Sequence, residues 1–267
     1  MANKKSVFPF HQMMASARIL DLSVMIGPNY PCTYFKGQPF LQTKLQDYDG
    51  PRGRCTSNVL IMEEHTGTHC DAPIHMIPSP DSGIEHSGPA HYITVEKIPL
   101  RKCRGPAAVI DCRDLLGTEK PGVSPLITAD KLKKWEKEHG RLKKEDKVLV
   151  FTSWTELHYK PFPEGYKLEK TCNIDRETEG WPAPDDGFLE YLISRKVEHV
   201  GCDFPSLGQI QNDEGPHWTA LGNEMLVVEK LTNLSKLPPR GAYYIFLPLK
   251  IQNGTAAPGR AIAFLPK

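Results

Sequence analysis

Seven short apolar stretches, separated by Pro- and Gly-rich connections, set the first limit on how this chain can fold. They cover residues 17–24 (ARILDLSV), 57–65 (SNVLIMEEH), 107–112 (AAVIDC), 147–152 (KVLVFT), 198–204 (EHVGCDF), 224–231 (EMLVVEKL) and 243–251 (YYIFLPLKI). Their length and bounding turn residues predict strands. Two segments carry helix signals instead. One starts after Thr128 as N-cap, runs through ADKLKKWEKEH with Leu132, Trp135 and His139 as its apolar stripe, and stops at Gly140. The other, DGFLEYLISRK, begins near Asp186. With no internal repeat and no low-complexity linker, the expectation is one α/β domain over residues 17–267 after an N-terminal tail of 1–16. Residues 155–185 have little periodicity and four prolines. Such an insertion reads as a lid, a binding loop or a mobile segment.

Composition narrows the class of function. The formal net charge is +1, and no basic block or aromatic–basic stripe points to nucleic acid. No apolar run approaches the roughly 18 residues of a membrane span, and the N-terminus has no continuous apolar run. Seven cysteines, an odd number without a C-x-x-C pair, fit a reducing compartment. The expectation is a soluble cytoplasmic protein acting on a small molecule.

The chemistry is concentrated in residues 65–76, HTGTHCDAPIHM. His65, His69, Asp71 and His75 are all odd-numbered, so an extended chain would turn them to one side, with Gly67 leaving room beside them. A helix is disfavoured by Gly67, Pro73 and the β-branched Thr66 and Thr68. Imidazole and carboxylate are the ligands of first-row divalent ions, zinc and manganese among them. Cys70, at an even position, should face away from the ion as a small buried residue. Three ligands from one motif call for others downstream. His217 in GPHWTALG and Glu229, a carboxylate inside an apolar strand, are the candidates, with Asp203 ranked lower.

HTGTHCDAPIH resembles the H-x-G-T-H-x-D-x-P-x-H pattern of the cyclase-like metal-dependent hydrolases, among them bacterial kynurenine formamidases and isatin hydrolases. ILDLSVMI, VLVFTSW, GPHWTALGNEMLVVEKLTNL and APGRAIAFLP are similar to further segments of that family, so the resemblance runs from about residue 18 onward. It implies a swivelling β/β/α, barrel-like architecture and a homodimer or higher homo-oligomer. It also implies two ions per subunit, zinc or manganese. His65, His69 and Asp71 would hold one, and His217 a second, with Asp71 and Glu229 shared. His75 becomes the proton carrier in hydrolysis of a C–N bond, where the residues alone had grouped it with the ligands. Tyr34 and Trp154 would contact substrate. Tyr34 in TYFKGQPF replaces a tryptophan of the formamidases and Gly37 replaces an acid, so an aryl amide other than N-formylkynurenine stays open. Phe162, Tyr166 and Trp181 in the insertion are further candidates for the pocket wall or for loop anchors. Two other readings remain at this point: a lactone hydrolase using the same site, and a non-catalytic protein holding a structural ion.

Overall fold

The computed structural model describes Gln12 and residues 15–266, so most of the tail expected over 1–16 lies outside the described residues. Its main sheet contains β1 (Arg18–Asp21), β4 (His69–Asp71), β5 (Arg104–Asp111), β7 (Lys147–Phe151), β9 (His199–Cys202), β10 (Leu226–Glu229), β11 (Tyr243–Pro248) and β12 (Ala256–Leu265). Two small ribbons complete the strands: β2 (Leu41–Gln46) with β3 (Ser57–Ile61), and β6 (Leu126–Ile127) with β8 (Ala183–Pro184). The helices are α1 (Ala129–His139), α2 (Trp154–His158), α3 (Asp186–Ser194) and α4 (Glu214–Gly222).

Neighbours around the sheet run β12-β11-β5-β7-β9-β10-β4, and β4 pairs again with β12. Seven strands therefore close on themselves, and β1 is added outside the ring along β12. Closure depends on the length of β12. Its first residues, Ala256 to Pro258, pair with β4, while Gly259 to Phe264 pair with β11. One long strand thus serves both ends of the sheet, and no edge is left between them.

Strand alternation sorts the side chains into two cores. Cys70, Ala107, Val109, Leu149, Phe151, Leu226, Val228, Tyr244 and Phe246 fill the inside of the ring. Ala108, Ile110, Val148, Val150, Val200, Cys202 and Val227 face outward and pack under helix residues such as Leu132, Phe188, Leu192 and Leu221. Small inward residues make room for the large ones: Ala261, Ala263 and Gly201 share the interior with Tyr244 and Phe246.

Helix α1 ends where expected, with Gly140 at φ +83° and its N–H bonded to Glu136 O. Thr128 precedes the helix but its hydroxyl makes no capping bond. In α3 the cap is Asp185, whose carboxylate accepts from Phe188 N. The two helices are tied by Glu136, which accepts from Arg195, Tyr191 Oη and Leu142 N. Partial burial opposes its ionisation, but Arg195 and these donors draw its carboxyl down to about 2. A depressed carboxylate pKa adds stability above the unfolded value, and that gain is lost as pH falls toward 2. Glu136→Gln should therefore cost roughly 1–3 kcal/mol at neutral pH. Thermal melts from pH 7 to pH 2 should show the gap from wild type closing across the acid range, and a constant gap would refute the assignment.

Residues 57–65 form a strand only as far as Ile61, and that strand belongs to the β2–β3 ribbon rather than to the ring. Leu41, Leu45, Val59, Leu60 and Ile61 of this ribbon are exposed. Among the described residues no helix is long and apolar enough to cross a membrane.

Candidate active site

The register of β4 against β10 builds the centre of the site. Glu229 lies directly opposite His69, Val228 opposite Cys70 and Val227 opposite Asp71. Paired residues in an antiparallel ladder share a face. Cys70 and Val228 enter the ring, so His69, Asp71 and Glu229 must face outward, toward the helix layer. Glu229, a carboxylate inside an apolar strand, is accordingly fully buried. Helix α4 supplies the remaining face, presenting buried His217 with Nε2 at 3.3 Å from Glu229 Oε1 and 3.9 Å from Asp71 Oδ2.

The 65–76 motif is not one extended strand. Only His69 to Asp71 is strand, because Gly67 takes φ +64° and turns the chain before it. Gly67 does not open space for an ion, as its geometry first suggested. A Cβ there would strike Ile26, and its carbonyl instead engages His69 Nδ1 at 2.9 Å. His65 reaches the site from the turn, with Nδ1 3.0 Å from Asp71 Oδ1. His75 ends a 3-10 turn, Pro73–His75, opened by the proline.

Two groups of ligand atoms converge: His65, His69 and Asp71, and Asp71, His217 and Glu229. Asp71 is common to both. The backbone fixes which imidazole nitrogens are free. His69 Nδ1 is engaged by Gly67 O and His217 Nδ1 by Asp213 O at 2.7 Å, so each ring turns Nε2 inward. His69 Nε2 is buried and, among the described residues, has no hydrogen-bond partner. Buried polar atoms are ordinarily satisfied, so this donor set fits a divalent ion taking nitrogen and oxygen ligands. Burial opposes charge on Glu229, yet His217 and His69 hold its carboxyl well below the usual range.

His75 belongs to neither group. Its ring centre lies 4.2 Å from that of His65 and 6.3 Å from that of His217, and the residue is exposed where the ligands are buried.

The other candidates divide. Tyr34 is at the site, but its hydroxyl points to Glu229 Oε2 at 2.9 Å and to Pro205 O at 2.8 Å. Its ring helps line a cavity of about 220 Å³, with Tyr30, Phe35, Phe162, Tyr166 and Glu169. Part of the insertion thus forms a cavity wall. Trp181 does not: it is buried in the helix-side core, with Nε1 donating to Gly208 O. Trp154, expected to meet substrate, is buried as well. Its ring is buried in the same core and its Nε1–H is satisfied by Leu168 O. Asp203 is a structural acid that accepts from Thr152 N, Thr152 Oγ1 and Ser153 N. Burial outweighs those donors and lifts its carboxyl to about 7. One neighbour of the ligands went unremarked in the sequence: Lys230, 1 % exposed, whose signal was a lysine within the apolar run EMLVVEKL.

Known proteins resemble this chain in sequence and in fold. An isatin hydrolase of Roseibium aggregatum is 29% identical over 268 residues, covering 96% of this chain and 94% of that protein. A kynurenine formamidase of Salinibacter ruber is 29% identical over 211 residues, covering 76% and 77%. The crystal structure of an isatin hydrolase bound to the product analogue thioisatinate superposes with TM-score 0.80 at 26% identity, over 100% of both chains. The family model described as putative cyclase matches residues 20–209, which include the histidine motif and helices α1 to α3. With most of its length matched in that way, this chain belongs to the putative cyclase family.

Proposed function

We propose that the protein is a metal-dependent hydrolase that cleaves the C–N bond of a small aryl or cyclic amide. The observation that carries the reading is the pair of ligand groups sharing Asp71, with the exposed imidazole of His75 beside them. His65, His69, Asp71, His217 and Glu229 would hold the metal, zinc or manganese, and two ions fit the two groups. Bound there, a divalent ion lowers the pKa of water toward neutrality and polarises a carbonyl. Asp71 and Glu229 offset its charge. His75, its ring centre 4.2 Å from that of His65, would take a proton from the attacking water and return it to the leaving nitrogen. The cavity against Tyr34 offers flat apolar walls for the aryl part of a substrate.

A structural ion is the weaker reading. Structural sites are usually closed by four ligands and often rich in cysteine, whereas this set contains none and keeps an exposed histidine at its side. All seven cysteines are unpaired, which supports a reducing, cytoplasmic setting. The exposed apolar residues of the β2–β3 ribbon support a homo-oligomer.

The purified full-length protein should contain zinc or manganese by elemental analysis, elute as an oligomer by light scattering, and turn over isatin or N-formylkynurenine. A lactone assayed in parallel separates the ester alternative. Absence of turnover of all three by metal-loaded protein, or turnover that survives complete metal removal, would sink the proposal.

A further inference from the structure

Lys230 combines two unfavourable features directly after the ligand Glu229. Its φ is +55°, a conformation that glycine adopts freely and other side chains rarely. Its ammonium is buried and, among the described residues, has no hydrogen-bond acceptor. Burying an unpaired charge is costly. The turned backbone is fixed from both sides, since Lys230 N donates to Phe204 O at 3.1 Å and Thr68 Oγ1 donates to Lys230 O at 2.6 Å. The result sends the side chain back under Tyr34, with Nζ 4.2 Å from the ring centre. Glu169, Glu229, Cys32, Asp71, His65 and Tyr34 are among the titratable groups that face it.

Tyr34 comes from an irregular loop, yet its hydroxyl must meet a metal ligand. Glu229 has one oxygen fixed by the chain itself, as Leu207 N donates to Oε1 at 2.6 Å. The other oxygen, Oε2, receives the Tyr34 hydroxyl. Besides His69 Nε2 at 3.4 Å, this hydroxyl is the group that meets Oε2. Pro205 O, 2.8 Å from the same hydroxyl, holds the ring at its tip, and the cation–π contact with Lys230 holds its face.

We propose that Tyr34 and Lys230 are positioning residues of the metal centre: the Tyr34 hydroxyl sets the orientation of Glu229, and the Lys230 ammonium holds the Tyr34 ring in place to do so. The proposal rests on Glu229 being a ligand, as argued above. The sign of one measurement separates it from simple electrostatics. Removing a buried positive charge beside a cation site should tighten ion binding by Coulomb's law alone. If Lys230 positions Tyr34, removal should weaken it.

The test is the Mn²⁺ affinity of the metal-stripped, full-length protein, read by competition with a fluorescent chelator. Tyr34→Phe should weaken binding about 10–100-fold, the usual worth of a group that orients a ligand. Lys230→Met should also weaken it. The double variant should be no worse than the poorer single, because both act through one carboxylate. Melting curves without metal should match wild type for Tyr34→Phe and match or exceed it for Lys230→Met. Unchanged affinity in Tyr34→Phe, or unchanged or tighter binding in a Lys230→Met protein that melts normally, would overturn the proposal. Should Lys230→Met melt early, the Tyr34→Phe result decides. His69→Ala is the control: wild-type affinity there would remove the metal centre itself rather than its positioning.

Discussion

His69→Ala should lose its divalent ion and its hydrolytic activity together, the largest effect expected of a single side chain here. Its ring is fully buried, Nδ1 is committed to Gly67 O, and Nε2 stands among Asp71, Glu229 and the first ligand group. Water cannot readily replace an imidazole at a position closed from solvent. Affinity should therefore fall by more than the roughly 10–100-fold that loss of an outer partner costs. Elemental analysis after dialysis reads the outcome, with the melting curve of stripped protein as the control for folding. Wild-type metal content in the variant would contradict the assignment.

His75→Ala should behave in the opposite way, keeping its metal and losing rate. The residue lies outside both ligand groups, at the end of a turn stiffened by Pro73, on the exposed side of His65. A positioned acid–base group is typically worth about 10²–10⁴-fold, and kcat should drop by that much. The pH–rate profile of the variant should lack the limb that wild type owes to an imidazole. Metal content measured on the same preparation separates the possibilities. Lost metal would make His75 a ligand, and full metal with unchanged rate would leave it without a role in the reaction.

Much of this was present in the one-dimensional text. Strand-length apolar runs bounded by Pro and Gly located β1, β5, β7, β9, β10 and β11, because local burial and turn chemistry are encoded within a few residues. Helix α1 was legible from its apolar stripe and its Gly140 stop, and α3 from the segment DGFLEYLISRK that begins near Asp186. The close spacing of His65, His69 and Asp71 announced a candidate ligand set, since a motif that short is brought together by its own backbone.

Pairing across the chain was not legible. Whether Glu229 faced water, the interior of the ring or a metal depended on its register with His69, about 160 residues earlier in sequence, and no local pattern contains that register. Closure of the ring by β12 is of the same kind, as is the short α4 that delivers His217. Trp154 and Tyr34 were alike as aromatic candidates. Tertiary packing buried one in the core and turned the hydroxyl of the other onto a ligand. Lys230 shows the division most plainly. In sequence it is one more surface-type residue at a strand end, and only the left-handed turn after Glu229 carries its charge beneath Tyr34. Local chemistry chose the ligand types, and the long-range register of β4, β10 and α4 decided which of them meet.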